Sequence, residues 1–431
     1  MTVTAPVLFL LLLGALGLAL AAGAAPGHLW LPVLQAVYAR YRRRLSGNNR
    51  LSVLLRGRRV ILLFSPGCPP GRCLELARAM GARDSRFLPL VHGVACRLPS
   101  RALRRVPGGL AISEARARAD TRAMLVHVED DVPIFASDLP FLDWLCRRRT
   151  LSGQQVPWGV ERIEAPAAWP QSRGEGVRVA VMDTGIDLRH PDLQDRLRPG
   201  YNALRPGSRP QDDNGHGTHV AGTVAATDNG IGVVGVAPRA LLHPVKVLDR
   251  WGSGLLSDLV EGMRWCAENG MQVVNMSFGT TQDSRTLREA VRRLRDAGAV
   301  IVAAAGNEGP PGEGQRSSVT YPARYPEVIA VSAVDVEDHT ARFSSRGPEV
   351  DVAAPGVGIP STWPGGRYRS LSGTSMAAPH VSGVAALVLA AGGDLSPDEV
   401  RARITGTAED LGLPPAEQGA GLVNARRAVA G

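Results

Sequence analysis

The sequence predicts an α/β fold from residue 156 onward, with a mostly parallel sheet covered by helices on both faces. Short apolar runs without polar alternation recur in this region, and segments with a helical pattern separate them. Strands of this kind, joined through helices, are typical of a parallel sheet buried on both faces. The chain has 431 residues, of which 44% are hydrophobic. This composition supports a large core and excludes disordered and collagen-like proteins.

The elements of this region alternate along the chain. The predicted strands cover residues 177–182, 241–247, 273–276, 300–304 and 328–334. A predicted helix follows His216, and further predicted helices cover residues 255–267, 286–297 and 374–391. The last predicted helix begins at Pro397, where Ser396 and Glu399 have the spacing of a capping box.

The pattern over residues 58–136 predicts a smaller α+β unit. Strand-like segments at 58–65, 87–98 and 123–129 alternate with helical segments at 73–80 and 101–105. This is the order of a ferredoxin-like split βαβ unit, provided that one strand is missed. Residues 137–153 have the composition of a linker and contain the basic run 147–149. The catalytic-sized domain then occupies residues 154–431.

An apolar stretch within residues 1–25 predicts export. Small residues after the apolar run fit an A-x-A cleavage site, but the first six residues have no Lys or Arg. The segment is therefore either a cleaved signal peptide or an uncleaved membrane anchor. No other run approaches membrane length, which excludes a polytopic membrane protein. Residues 26–57 are an extension to which the sequence assigns no role.

The cysteine pattern gives no metal site. The five cysteines are Cys68, Cys73, Cys96, Cys146 and Cys266. None of them has a spacing typical of zinc ligands. Disulfides among the first four are compatible with export, and the sequence leaves their pairing open. Cys266 lies in a helical pattern, where we expect it to be packed.

The net charge of +9 belongs to the N-terminal third of the chain. Residues 1–150 contain 22 Arg and 9 acidic residues, a net charge of +13, whereas residues 151–431 contain 27 basic and 31 acidic residues, a net charge of −4. A basic segment can bind nucleic acid or a membrane surface, or it can complement an acidic partner in the same chain. Since no aromatic platform or nucleic-acid motif is present, we favour the intramolecular partner and expect no nucleic acid.

Three segments carry residues that are suited to catalysis. Asp183 ends a predicted buried strand, at the sheet edge where ligands collect in parallel sheets. His216 and His219 open a helix, but they lack the spacing and the adjacent Glu of a zinc protease helix. Ser375 lies between a glycine and an apolar helix, where free N–H groups stabilise a developing anion. Each residue alone also fits a turn or a helix cap.

Together, an Asp, a His and a Ser are the groups that turn a weak hydroxyl into a nucleophile. The order Asp, His, Ser along the chain is the known subtilisin order. The motifs VMDTGID, NGHGTHVAGT and GTSMAAPHVSG resemble the three signatures of the subtilisin-like serine proteases. The resemblance covers about residues 152–431. It implies a subtilisin-like three-layer domain, and the preceding unit resembles the family's inhibitory propeptide more weakly.

The resemblance also implies the substrate site. The segment 304–309 resembles the family's oxyanion segment, which makes Asn307 a catalytic side-chain donor. The predicted substrate-binding residues are Gly252, Ser253, Gly254, Ser277, Phe278, Gly279, Ala304, Gly306 and Thr320. The first six resemble two edge segments that clamp an extended peptide. Thr320 at the pocket base favours medium apolar side chains, whereas Glu308 near the rim favours a basic one. Tyr321-Pro322 resembles a cis-proline position.

A structural Ca²⁺ ion is a further implication of the resemblance. The segment 227–233 resembles the family's calcium loop, although it also fits an ordinary Asn-Gly turn. All-oxygen ligands are what this hard cation needs. The predicted ligands are Gln154, Asp192, Thr227, Asn229, Ile231 and Val233.

We therefore expect a secreted serine endopeptidase that acts on polypeptides as a monomer. It would be made as a zymogen, with its own propeptide as inhibitor, and would contact a membrane only if residues 1–25 are not cleaved. Self-cleavage is expected between residues 136 and 153, although the run 147–149 also offers a site to another protease. A processing protease of narrow specificity and an inactive binding protein of the same fold are the alternatives.

Overall fold

The computed structural model describes residues 57–106, 109–112, 119–136 and 153–431. The predicted signal peptide or anchor, the extension up to residue 56 and the linker up to residue 152 lie outside the described residues.

The described residues of the small unit form nine helices and strands, apart from two 3₁₀ turns. In chain order they are β1 (Arg58–Phe64), α1 (Pro70–Ala79), β2 (Arg83–Leu88), β3 (Gly93–Leu98), β4 (Leu103–Val106), β5 (Gly109–Ile112), α2 (Ala119–Met124), β6 (Leu125–Asp130) and β7 (Pro133–Ala136). Four strands form an antiparallel sheet in the order β2-β3-β1-β6. This is the strand order of the predicted split βαβ unit.

Two local predictions in this unit are wrong. The single strand predicted over 87–98 is two antiparallel strands, β2 and β3, joined by a 3₁₀ turn at Pro89–Val91. The short helix predicted over 101–105 is a 3₁₀ turn at Ser100–Ala102 followed by β4. Strand β4 forms because it pairs with β5 in a separate hairpin, and such tertiary pairing overrides local propensity.

The large domain contains the predicted parallel sheet. Its elements are α3 (Trp158–Arg162), α4 (Ala165–Ala168), β8 (Arg178–Asp183), β9 (Tyr201–Asn202), α5 (His216–Ala225), β10 (Leu241–Lys246), β11 (Ser253–Leu255), α6 (Leu256–Glu268), β12 (Val273–Met276), β13 (Phe278–Gly279), α7 (Arg285–Asp296), β14 (Val300–Ala304), β15 (Ile329–Val334), β16 (Val352–Pro355), β17 (Ile359–Trp363), β18 (Arg367–Leu371), α8 (Thr374–Gly392), α9 (Pro397–Gly406), α10 (Pro415–Gln418) and α11 (Ala425–Ala430). Seven strands pair in parallel in the order β16-β15-β14-β12-β8-β10-β9. The sequence predicted five of these seven strands and missed β9 and β16, which lie at the two edges of the sheet. It also missed the separate hairpin of β17 and β18.

Helices cover both faces of this sheet. Val273 packs on the face of α5 and α8, whereas its neighbour Val274 packs on the face of α6 and α7. Among the described residues, α8 is the one helix long and apolar enough to cross a membrane, and 83% of its apolar window is buried inside the domain. The apolar side chains of α8 therefore form part of the hydrophobic core of the large domain. Cys266 on α6 is fully buried, as expected.

The small unit packs onto the large domain through one face of its sheet. Ile61 and Leu63 of β1 belong to the same apolar cluster as residues of α6 and α7. The alternate residues Val60 and Leu62 face the other way and pack with α1. This period of two is what a strand between two apolar layers requires.

Candidate active site

Strand ends and helix starts meet at one edge of the large sheet. Strand β8 ends at Asp183, and its neighbour β12 and the next strand, β14, end at the same edge. Helices α5 and α8 pack against each other and carry His216 and Ser375 in their first turns. The sheet edge therefore collects the three residues that the sequence separates widely.

Asp183 and His216 form a buried hydrogen-bonded pair. The Nδ1 atom of His216 lies 2.7 Å from Oδ1 of Asp183, and the exposed fractions of the two side chains are 1% for His216 and 0% for Asp183. Asp183 Oδ1 also accepts a hydrogen bond from the Thr184 N–H. A carboxylate only accepts, so Nδ1 is the protonated nitrogen and Nε2 is the one that can take a proton.

A glycine makes the close packing around this pair possible. A Cβ atom at Gly217 would lie 2.1 Å from the carbonyl oxygen of Gly185 and 3.0 Å from the Asp183 Cβ. Only a residue without a side chain fits at this position. The helix can therefore approach the end of β8 closely enough for the 2.7 Å contact.

Ser375 is fully buried in the first turn of α8. Its Oγ donates a hydrogen bond to the Ser277 carbonyl, at 2.9 Å. The Ser277 Oγ in turn donates to the Ser375 carbonyl, at 3.0 Å. This reciprocal pair holds the serine against the segment that leads into β13. The sequence predicts Ser277 only as a substrate-binding residue, and nothing in its motif signals the contact with Ser375.

Asn307 follows β14 and lies beside the start of α8. Its Oδ1 accepts hydrogen bonds from the Thr374 N–H and from Thr374 Oγ1, both at 3.0 Å. Thr374 Oγ1 also accepts the Gly306 N–H, at 3.2 Å. Thr374 thus fixes the plane of the Asn307 amide, with its NH₂ group on the side away from Thr374. Thr374 lies inside the serine motif, but nothing in the sequence marks it as a support for Asn307.

His219 is separate from this pair. Its Nε2 lies 2.9 Å from the Ile359 carbonyl oxygen and 3.1 Å from that of Arg369. Burial, with a smaller contribution from His216, lowers the pKa of His219 to about 3. The residue is therefore neutral and ties α5 to the hairpin of β17 and β18.

A strand of the small unit lies in the predicted substrate cleft. Strand β7 pairs antiparallel with β11 on one side and with β13 on the other. Phe135 lies opposite Ser253 and Gly279, and Ile134 lies opposite Gly254. The Ala136 N–H donates to the Gly252 carbonyl, at 2.9 Å. The two edge segments thus hold an extended peptide of the same chain, as in β-augmentation.

The remaining predicted substrate residues differ in position. Thr320 is buried between two glycines, since a Cβ at Gly279 or Gly306 would lie 2.4 or 2.9 Å from its Oγ1. Its Oγ1 donates to the Ala305 carbonyl. Phe278 is fully buried in the apolar cluster that includes Ile134. Ala304 is fully buried in the cluster on the other face of the sheet, so its side chain lines no cleft.

Several of the predicted calcium ligands lie close together. Gln154 Nε2 lies 2.7 Å from the Thr227 carbonyl oxygen and 3.3 Å from that of Val233. Asp192 Oδ2 accepts the Val233 N–H, and Oδ1 is buried with no hydrogen-bond partner among the described residues. Burial raises the pKa of Asp192 to about 6. In this orientation the Gln154 amide donates to both carbonyl oxygens, and exchanging its nitrogen and oxygen would instead turn Oε1 towards them, as a cation ligand requires.

The loop itself completes this group. Asn229 Oδ1 accepts the Ile231 N–H, at 3.2 Å, and the Gly230 N–H donates to Gln154 Oε1, at 3.1 Å. The Ile231 side chain points outward and is 43% exposed. A buried carboxylate oxygen without a partner and converging carbonyl oxygens are the donor set of a hard cation. The residues therefore fit Ca²⁺.

Carboxylates of the small unit bind the starts of two helices of the large domain. Glu129 accepts hydrogen bonds from Ser284 Oγ and from the N–H groups of Arg285 and Thr286, at the start of α7. Asp131 accepts the Ser257 N–H and Ser257 Oγ, at the start of α6. Helix N-termini favour negative charge. The acidic end of this unit is visible in the sequence, whereas its contacts with the two helices are not.

The comparisons with known proteins agree with this geometry. The sequence model of the subtilase family matches residues 174–422. The chain belongs to the subtilase family. This subtilase is a serine endopeptidase with an α/β fold, and its substrates are polypeptides.

Several subtilases of known sequence are similar to this chain. It is 50% identical to the thermostable alkaline protease of Halalkalibacterium halodurans over 276 residues, which are 64% of this chain and 74% of the relative. It is 48% identical to subtilisin Savinase of Lederbergia lenta over 276 residues, 64% of this chain and 99% of the relative. It is also 48% identical to subtilisin E of Bacillus subtilis over 277 residues, 64% and 71% of the two chains.

Proposed function

We propose that Ser375 is the nucleophile of this subtilase, with His216 as general base and Asp183 as the group that orients and stabilises the imidazole. The observation that carries the proposal is the buried 2.7 Å contact between His216 Nδ1 and Asp183. It leaves His216 Nε2 to accept the hydroxyl proton. The start of α8 supplies a favourable field for the negative charge that develops.

The reaction follows from these roles. Ser375 Oγ attacks the carbonyl carbon of the scissile peptide while its proton passes to His216 Nε2. The tetrahedral oxyanion is stabilised by the Asn307 amide and by the Ser375 N–H. Collapse expels the amine, which takes the proton from His216 and leaves an ester on Ser375. Water, deprotonated by His216, then attacks the ester and releases the acid and the free Ser375 hydroxyl.

The small unit, residues 58–136, is the inhibitory and folding domain of a zymogen in this proposal. Its strand β7 fills the cleft between β11 and β13, where a substrate would bind. Glu129 and Asp131 fasten it to the starts of α7 and α6. Because β7 pairs with both edge segments as an extended peptide would, we place the self-cleavage directly after it, at residues 137–138. The catalytic domain is residues 154–431, preceded by the linker 137–153.

Calcium has a structural role in this proposal. Gln154, Asp192 and Asn229 would hold the ion through side-chain oxygens, and Thr227, Ile231 and Val233 through carbonyl oxygens. The ion would tie the start of the catalytic domain to the loop after α5, and it supplies no part of the chemistry.

Export and a monomeric state complete the proposal. The relatives include an alkaline protease and subtilisins, and the sequence of residues 1–25 has the apolar pattern of a signal peptide or anchor. The mature enzyme would then act outside the cytoplasm on polypeptides, with a membrane contact only if residues 1–25 remain attached.

The intact mass and N-terminal sequence of the purified protein, with calcium present, test the proposal. Wild type should lose residues up to 137–138, whereas Ser375→Ala should stay full length and inactive. Ser332→Ala is the matched control, because this buried serine donates to the Glu417 carbonyl and to no group proposed for catalysis. If Ser375→Ala is cut as wild type is, another protease performs the processing. If wild type remains uncut and inactive, the zymogen assignment is wrong.

A further inference from the structure

Two thiols and an imidazole lie together in the core of the small unit. Cys68 follows β1, and Cys73 lies in the first turn of α1; both are fully buried. Cys73 Sγ lies 3.5 Å from the Cys68 carbonyl oxygen and 3.9 Å from His92 Nε2. Burial, and then the neighbouring Cys68 thiol, raise the pKa of Cys73 to about 12.

The imidazole in this cluster is not placed to bind a metal. His92 Nε2 lies 2.7 Å from the Cys68 carbonyl oxygen, which can only accept, so Nε2 carries a proton. A metal ligand needs an unprotonated nitrogen. His92 also lies in the left-handed backbone region and packs edge-on against Phe87, which fixes the ring. The cluster is therefore a pair of thiols with a hydrogen-bond donor beside them.

We propose that Cys68 and Cys73 form a disulfide that links the turn after β1 to the first turn of α1. The two thiols lose two protons and two electrons, and one S–S bond forms. The oxidant is a disulfide, either of a thiol oxidase or of a small molecule, which is reduced to two thiols. The proposal depends on the proposed export only for this oxidant, because disulfides persist in oxidising compartments.

Burial determines when the bond forms. The thiolate is the species that reacts in disulfide exchange, and buried thiols are largely inert. The bond therefore forms while the small unit folds, before α1 covers the two sulfurs. Afterwards the same burial protects it from reductants.

The bond acts on the stability of the small unit and not on its contact with the large domain. Cys68 and Cys73 pack with Val60 and Leu62, on the sheet face opposite to the one that meets α6 and α7. A cross-link restricts the unfolded chain and so favours the folded unit. A longer-lived folded unit keeps β7 in the cleft for longer. The disulfide would thus prolong latency in an oxidising compartment.

Peptide mapping of full-length Ser375→Ala, exported to an oxidising compartment, tests the bond. The protein is denatured and alkylated without reductant, then digested with trypsin. Trypsin cuts after Arg72, so Cys68 and Cys73 fall on separate peptides, residues 60–72 and 73–78. We expect these two peptides joined, and separated by reductant. Alkylation of both cysteines, a bond to Cys96 instead, or stoichiometric zinc in the purified protein would overturn the proposal.

A second measurement tests the effect on the small unit. Reductant should accelerate limited chymotrypsin digestion of residues 58–136 in Ser375→Ala, and should have no effect when Cys68→Ala and Cys73→Ala are added. Cys96→Ala is the matched control, a buried cysteine of the same core that should keep the reductant effect. Equal rates with and without reductant in every variant would contradict a stabilising role. Both tests use full-length Ser375→Ala, so a failure of the proposed role of Ser375 is seen separately, as processing of this variant in its intact mass.

Discussion

At the scale of single residues, hydrogen bonds orient the groups proposed for catalysis. Asp183 sets the tautomer of His216, and Thr374 sets the plane of the Asn307 amide. Thr374 directly precedes Ser375 in the chain and hydrogen-bonds to Asn307, so one residue positions both the nucleophile and the side-chain donor to the oxyanion. An amide held in advance costs no reorganisation when charge develops on the substrate, which is why such donors lower the barrier.

We predict that Asn307→Ala lowers kcat by about 10²–10³-fold and leaves KM nearly unchanged, because the amide stabilises the transition state and not the bound substrate. This range is the loss measured when such a donor is removed from a subtilisin. Steady-state kinetics on a short peptide would measure it. Asn269→Ala, at the exposed end of α6, is the control and should keep full activity. A rise in KM without a fall in kcat would assign Asn307 to substrate binding instead.

A second prediction concerns the depth of the specificity pocket. Thr320 lies against Gly279 and Gly306, so Thr320→Gly should deepen the space between them. We expect kcat/KM for a peptide with an aromatic residue before the cleaved bond to rise by about tenfold or more. A peptide with alanine at that position serves as the control and should change little. An unchanged ratio between the two peptides would mean that Thr320 does not limit the pocket.

At the scale of elements, four helix starts carry the proposed functions. The starts of α5 and α8 hold His216 and Ser375, and those of α6 and α7 are bound by Asp131 and Glu129 of the small unit. The positive end of the helix dipole favours the oxyanion at the start of α8 and the docked carboxylates at the starts of α6 and α7, whereas the start of α5 serves only to position His216.

Neutralising the two docking carboxylates should weaken inhibition. Glu129→Gln and Asp131→Asn each remove a negative charge from a helix start, at a cost of about 0.5–2 kcal/mol. The onset of activity after self-cleavage should therefore come earlier, and progress curves of peptide hydrolysis would show it. Asp130→Asn is the matched control, since Asp130 pairs with Arg58 inside the small unit. An onset unchanged from wild type in both variants would contradict the docking role.

The same contact predicts a pH dependence. Burial alone would raise the pKa of Glu129, but the nearby imidazole of His127, at 3.8 Å, and the hydrogen bond from Thr286 outweigh it and lower the pKa below the usual 4.5. The carboxylate then stabilises the docked state fully above pH 4.5, and this stabilisation is lost as the pH falls through the lowered pKa. Inhibition should thus weaken in acid below about pH 4.5, and this part of the pH dependence should vanish in Glu129→Gln.

At the scale of the whole molecule, the basic small unit does not bind the acidic large domain through its basic residues alone. The basic unit reaches the large domain through its own acids, Glu129 and Asp131, as well as through Arg86, which pairs with Asp258 at 2.9 Å. Other arginines, such as Arg58 and Arg59, pair with Asp130 and Asp131 of the same unit. Helix dipoles of the large domain therefore stabilise its contact with the small unit, in addition to the difference in net charge.

The calcium site gives a prediction at this scale. An ion that binds only the folded state stabilises it by about 2.7 kcal/mol when its concentration is about 100 times Kd. For a domain of this size that raises Tm by about 4–5 °C. Thermal melting of Ser375→Ala with calcium and with a chelator would show the shift, and Asp192→Asn should remove it. Asp228→Asn, an exposed carboxylate in the same loop that pairs with Arg173, should retain it.

The sequence by itself determined the identity of the catalytic candidates and the parallel sheet. Asp183, His216 and Ser375 lie in short motifs, and buried parallel strands leave continuous apolar runs. Residues 87–98 show the limit of this reasoning, because an apolar run does not reveal a turn between two strands. Strand β4 shows it again, because its pairing partner β5 decides its conformation.

Only the tertiary structure decided what fills the cleft and what holds the small unit. The pairing of Phe135 with Ser253 and Gly279 joins segments far apart in the chain. The same is true of Glu129 at the start of α7 and of the contact between Cys73 and His92. Local periodicity records which face of an element is buried. It does not record which distant backbone donor or side chain completes the contact, because that is fixed only when the elements pack.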